Sequence, residues 1–185
     1  MLSPSLLLLT LASTLPLTTA QTTGPVTAPA GYRAVYITSK VDTKFVVSAK
    51  TPVKAGNTIV VNTQAANKPE QQWWLTATTG DSKIQLVNTT LCLDAGAKSA
   101  WKDMANIYVK DCTADAADPS QLWNVMADGR IALKASSPQE CIDLQYMRAT
   151  ANNPVGLYAC AGLGNTGAAD KGINWPLVNV TAGAA

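Results

Sequence analysis

The apolar residues of this chain come in short runs, many alternating with polar positions, and no stretch keeps an apolar stripe at helical spacing for three turns. Runs rich in β-branched and aromatic residues lie at 34–38, 44–49, 58–63 and 72–76, then at 83–87, 91–94, 106–110 and 122–126, then at 130–135, 141–144, 155–160 and 174–178. Turn formers separate them, among them Thr79-Gly80-Asp81, Ala127-Asp128-Gly129 and Asn152-Asn153-Pro154. The pattern predicts twelve short strands in three groups of four, an all-β barrel with pseudo-threefold symmetry.

The grouping is an internal repeat. Trp74, Trp123 and Trp175 are 49 and 52 residues apart, Cys92 and Cys141 are 49 apart, Cys112 and Cys160 are 48 apart, and Asp94 and Asp143 are 49 apart. Four kinds of landmark share one period, which chance agreement of a single pair would not produce. A four-strand unit cannot bury its own apolar face. Three units can close on one another, with a large residue from each filling the axis. Trp74, Trp123 and Trp175 are expected in that core, and Gln72 and Gln121 are expected to bond backbone in the adjoining turns.

Composition narrows the setting. The 185 residues suffice for one domain with a sizeable core. Residues 6–11 are apolar and are followed by Pro16 and Thr18-Thr19-Ala20, which reads as a secretory signal over 1–20. The run is too short to span a bilayer. Residues 21–31 are rich in Thr, Pro and Gly and read as a disordered lead-in, leaving 32–180 as the domain of a secreted protein with no membrane insertion. The formal charge is +2 with no basic cluster, so nucleic acid is not an expected partner. There is no histidine, which removes the commonest general base and most zinc sites. Four cysteines in a secreted chain imply two disulfides, and of three possible pairings the repeat selects Cys92–Cys112 and Cys141–Cys160.

These features resemble the ricin B-type lectin family, whose fold is a β-trefoil. The Gln-x-Trp signature reads here as Gln72-Trp73-Trp74 and Gln121-Leu122-Trp123, with a divergent Ile173-Asn174-Trp175. Cys92-Leu93-Asp94 and Cys141-Ile142-Asp143 match as well, and the resemblance extends over residues 32–178. It implies that the Asp two places after the first cysteine accepts hydrogen bonds from sugar hydroxyls. It also implies that an aromatic two places before the second cysteine stacks on the C–H face of the sugar, and that an Asn-Gln pair before the tryptophan assists.

Carried over by position, the third repeat keeps Asp143 and Tyr158 but has Gly172-Ile173 where the polar pair belongs, with Asn153 or Asn174 as substitutes. The second repeat keeps Asp94, has Lys110 at the stacking position and Ser120-Gln121 at the polar pair, and offers Tyr108 and Trp101 nearby. In the first repeat Phe45 and Gln64 stand for the cysteines, Val47 for the Asp and Asn62 for the aromatic, so that unit is expected to be structural. Galactose-type sugars are the ligand the resemblance implies.

Other readings fall away on chemistry. Gly162–Gly167 fits a Gly-x-Gly-x-x-Gly pattern, but no helix follows it, so it is read as a loop that borders the third pocket. Only Glu70 and Glu140 are glutamates, and no carboxylate pair is singled out for hydrolysis, so neither catalysis, metal nor cofactor is expected. Asn88 and Asn179 open glycosylation sequons. The sequence reading is therefore a non-catalytic extracellular sugar-binding protein of undetermined oligomeric state. A trefoil protease inhibitor or protein-binding effector is the competing reading, and a glycan hydrolase a more distant one.

Overall fold

The computed structural model describes residues 28–114 and 118–181. The expected signal at 1–20 and most of the lead-in lie outside the described residues. The described residues are all-β, with thirteen strands among them: β1 (Arg33–Ile37), β2 (Phe45–Ala49), β3 (Ile59–Thr63), β4 (Trp73–Leu75), β5 (Gly80–Ser82), β6 (Ile84–Leu86), β7 (Leu91–Asp94), β8 (Tyr108–Asp111), β9 (Trp123–Val125), β10 (Ile131–Leu133), β11 (Glu140–Leu144), β12 (Asn153–Ala159) and β13 (Leu177–Asn179). They form two curled sheets, in the orders β13-β1-β4-β6-β7-β8 and β2-β3-β12-β11-β10-β9-β5.

Each repeat contributes one hairpin, β2/β3, β7/β8 or β11/β12, all antiparallel. Their registers superimpose. Val46, Cys92 and Cys141 face Asn62, Lys110 and Tyr158, while Ser48, Asp94 and Asp143 face Val60, Tyr108 and Gly156. The two disulfides, Cys92–Cys112 and Cys141–Cys160, close the second and third hairpins as the repeat predicts. Closing loops of this length contributes about 3 kcal/mol each in the chain-entropy account.

Two strands depart from the sequence pattern. Thr79-Gly80-Asp81 reads as a turn, yet Gly80–Ser82 forms β5 and pairs with β9, Asp81 opposite Asn124. Its side chains are polar, and what fixes it is side-chain bonding: Asn124 Nδ2 donates to Asp81, and Ser82 Oγ accepts from the amides of Thr76 and Ala77. The last strand begins at Leu177 rather than 174, because Trp175 N turns to Gly129 O and Pro176 has no amide to give the ladder.

The largest correction concerns the core. The axial tryptophan of the first repeat is Trp73, not Trp74. Trp73, Trp123 and Trp175 are almost wholly buried, and their indole Nε1 atoms donate to Val47, Leu93 and Ile142 carbonyls at 3.0, 3.2 and 2.8 Å. Trp74 points to the other face of β4, where it packs against Tyr32 with ring centroids 6.5 Å apart, and its buried Nε1 has no partner. Successive strand residues alternate faces, so a one-residue slip exchanges core for surface.

The same slip moves the signature to Gln71-Gln72-Trp73. Gln71, not Gln72, clamps the turn: it accepts from Ala65 N and donates to Thr63 O, as Gln121 accepts from Thr113 N and donates to Asp111 O. In the first hairpin, Val46 rather than Phe45 therefore stands at the first-cysteine position and Ser48 rather than Val47 at the acidic one.

Trp73→Phe removes an indole donor, leaves Val47 O unpaired in the core and opens a void, and is expected to lower unfolding free energy by about 2–3 kcal/mol. Trp74→Phe deletes a buried donor that is already unpaired and should change stability by less than about 1 kcal/mol. Denaturant unfolding of the two variants measures this, and equal losses would contradict the assignment of the axial residue.

Candidate functional site

The equivalent carboxylates of the second and third hairpins sit on the same backbone in opposite surroundings. Asp94 is saturated. Its Oδ1 accepts from Gly96 N at 2.7 Å and lies 2.8 Å from Lys110 Nζ, and its Oδ2 accepts from Gln121 Nε2 at 3.1 Å. Ser120 Oγ lies 3.1 Å from Asp94 Oδ2 and 2.6 Å from Asp118 Oδ1, and its single proton serves one of them at a time. Burial pushes the Asp94 carboxyl up, but the Lys110 ammonium, Gln121 and the Gly96 amide together hold it below the usual carboxylate range. Lys110 Nζ also stands 5.8 Å from the Tyr108 ring centroid. The Tyr108 ring lies against Gly96, 3.5 Å from where a Cβ on that glycine would stand, and does not line the hollow beside Asp94. A wide hollow of about 750 Å³ opens beside these groups, with Trp101 on its wall, its Nε1 bonded to Gly96 O.

Asp143 is the reverse case. It is 7% exposed, yet no described residue donates a hydrogen bond to its carboxylate. The two positions that serve Asp94 are here Gly172 and Ile173. A Cβ on Gly172 would stand 2.9 Å from Asp143 Oδ1, so no hydroxyl-bearing side chain fits as the carboxylate stands. Ile173 packs with Cys141, Cys160 and Ala132 beneath Tyr158 in place of a polar clamp. Burial, then the nearby charges of Asp170 and Asp103, push the Asp143 carboxyl up to about 7. Glu140, at the start of β11, is raised by burial and by Asp103 as well.

Asp143 opens into a cavity of about 280 Å³, lined also by Tyr158, Tyr146, Met147, Met104, Leu163 and Asp170. Tyr158 does stand with Asp143 here, and the Gly-rich loop does border the pocket through Leu163. Asn153 and Asn174 do not line it. Asn153 Nδ2 donates to Gln145 O at 2.9 Å and so braces the turn that carries Tyr146. Asn174 Nδ2 donates to Asp128 O and Ala168 O, tying down the loop of Leu163. Both hold walls of the pocket rather than face its contents.

Sequence reasoning anticipated the loop of Leu163 but missed Met104, Tyr146, Met147 and Asp170. Their signal is conformational. Among the described residues seven non-glycines have positive φ; four are Asn, which tolerates it, and the other three are Met104, Tyr146 and Met147, all on this rim. Tyr146 is 75% exposed and Leu163 63%, so large apolar side chains ring a buried acceptor. Asp170 fastens the loop, accepting from Leu163 N and Gly172 N at 2.7 and 2.8 Å.

The family profile described as "Ricin-type beta-trefoil lectin domain" matches residues 33–130 and, in an overlapping second match, 82–170. Among solved structures, the designed threefold-symmetric protein ThreeFoil shares 18% identity over 81% of this chain and 99% of its own, with a TM-score of 0.64. The earthworm R-type lectin C-half in complex with GalNAc shares 16% over 80% of this chain and 99% of its own, TM-score 0.57. The Polyporus squamosus lectin, solved with a sialylated human-type influenza-binding epitope, shares 13% over 82% of this chain and 50% of its own, TM-score 0.61. No curated protein sequence matches the chain.

The two carboxylates make opposite contributions to stability with pH. Native Asp143 binds a proton up to about pH 7 that the unfolded chain, titrating near 3.8, has released, so its contribution falls as pH rises through that window. Asp94, lowered in the native state, stabilises above pH 3.8 and loses that contribution as pH falls below it. Asp143→Asn should flatten the fall from acid to neutral pH and exceed wild type by roughly 2–4 kcal/mol above pH 7. Thermal and urea unfolding from pH 4 to 8 measures it; an unchanged slope would show that Asp143 is not the titrating group.

Proposed function

Since the chain belongs to the ricin-type β-trefoil lectin family, we propose that it is a non-catalytic carbohydrate-binding protein whose working site is the third-repeat pocket. One observation carries this reading. Of the three equivalent positions, Asp143 alone presents a buried acceptor with no donor among the described residues, beside an aromatic at the stacking position. A pyranose brings hydroxyl donors for the carboxylate and a C–H face for Tyr158, with Tyr146 and Met147 closing over its edge. In the second repeat Lys110 already occupies the carboxylate. In the first, Ser48 replaces it and turns its hydroxyl to Ala49 O.

Galactose-type sugars are the first ligands to try, on the family resemblance. Secretion accords with the two disulfides, and the sequon residues Asn88 and Asn179 are both exposed, so glycans there would point outward. A single shallow site binds weakly, and useful strength on cell surfaces would come from clustering. Against the competing inhibitor reading, the described positive-φ residues other than Asn and Gly, namely Met104, Tyr146 and Met147, all line this hollow.

A glycan array followed by calorimetric titration tests the proposal. Asp143→Ala and Tyr158→Ala are each expected to weaken binding at least tenfold, about 1.4 kcal/mol, while Asp94→Ala leaves it unchanged once folding is verified. Binding that survives Asp143→Ala but not Asp94→Ala would move the site to the second repeat.

A further inference from the structure

The third-repeat pocket has an electrostatic character that a neutral sugar would not use. The two charged groups acting on Asp143 are both carboxylates, Asp170 and Asp103, and among the described residues no Lys or Arg lines the cavity. The second repeat shows what this arrangement accepts. There the residue equivalent to Tyr158 is Lys110, facing Cys92 as Tyr158 faces Cys141, and its ammonium sits 2.8 Å from the carboxylate equivalent to Asp143. In the third repeat that ammonium is absent, and its stem is replaced by an aromatic ring. Asp143 is left more than nine-tenths buried, lining the cavity and without a donor among the described residues.

We propose that the pocket selects a pyranose carrying a free, unacetylated amino group, the ligand's ammonium taking on Asp143 the place that Lys110 takes on Asp94. This rests on the sugar-binding reading and specifies its ligand class. A charge-assisted bond from ammonium to a desolvated carboxylate is roughly twice as strong as a hydroxyl's. The cation also offsets the repulsion from Asp170 and Asp103, which a hydroxyl leaves in place. Tyr158 and exposed Tyr146 offer ring faces to a sugar edge made electropositive by the ammonium. Ammonium binding stabilises ionised Asp143, so complex formation at pH 6 releases a proton from the protein.

Titration of the folded full chain with galactosamine and glucosamine hydrochlorides, against their N-acetyl forms and against galactose and glucose at equal ionic strength, tests this. The expected result is at least about tenfold tighter binding of the free amines, with proton release at pH 6 visible as a buffer-dependent heat. Asp143→Asn, which keeps shape, should abolish the preference. Tyr158→Lys should fill the site from within, lowering the Asp143 carboxyl from about 7 into the ordinary range by carbon NMR titration and abolishing amine binding. Equal or tighter binding of the N-acetyl or neutral sugars would overturn the amine selectivity and leave the lectin reading standing. Binding of no sugar at all would overturn both.

Discussion

Three indole-to-carbonyl hydrogen bonds organise this molecule. Each axial tryptophan is buried in the shared core and spends its single N–H on the carbonyl of Val47, Leu93 or Ile142. In each case the next residue along the hairpin holds the site position: Ser48, Asp94 or Asp143. The bond thus does two tasks. It satisfies a carbonyl in a water-free core, where leaving it unpaired costs about 1–3 kcal/mol. It also ties down the backbone from which the next side chain emerges on the opposite face. Core packing and pocket geometry are therefore one constraint, and a loosened tryptophan would misplace a carboxylate that it never touches.

On that common backbone the three positions diverge by small side-chain exchanges. Gln71 and Gln121 hold their turns by the same pair of backbone bonds, so the clamp is structural before it is anything else. Gln121 has a further use, donating to Asp94, and together with Lys110 it leaves that carboxylate neutralised from within. Replacing the glutamine by Ile173 and the serine by Gly172 removes both donors from Asp143. It gives instead an apolar bed under Tyr158 and room for the carboxylate to face the cavity. The same region concentrates the described residues other than Asn and Gly that adopt left-handed backbone, which persist only where surrounding contacts over-determine them. Asn153, bonded to Gln145 O, is one such contact.

The period, the hairpins and the disulfides were legible because each rests on residues with one dominant role: cysteine pairs, a Cys-x-Asp, a tryptophan every fifty or so positions. The first-repeat register was not, because Gln71-Gln72-Trp73-Trp74 satisfies a Gln-x-Trp pattern through Trp74. Only burial separates the two rings, and their exposures, 0% and 8%, differ by which face of β4 they leave. β5 escaped notice because its pairing is secured by Asp81 and Ser82 side chains rather than by an apolar pattern. The rest of the pocket rim escaped because Met104, Tyr146 and Asp170 come from three separate loops. No spacing rule joins them, and their common feature is a backbone-determined convergence.

The contrast between Asp94 and Asp143 bears on why the third site stays open. A chain selected for stability alone would complete both carboxylates alike, since donors from Ser, Gln and Lys at the equivalent positions are sterically available in the second repeat. Asp143 instead carries its desolvation uncompensated, together with the repulsion of two further acids. Such a group destabilises the free protein at neutral pH and is stabilised by whatever supplies the missing donors. Linkage makes those two statements one. The free energy withheld from folding at Asp143 is available to binding, so a ligand that brings proton donors must raise the stability of the fold by the amount that its contact with Asp143 contributes to affinity.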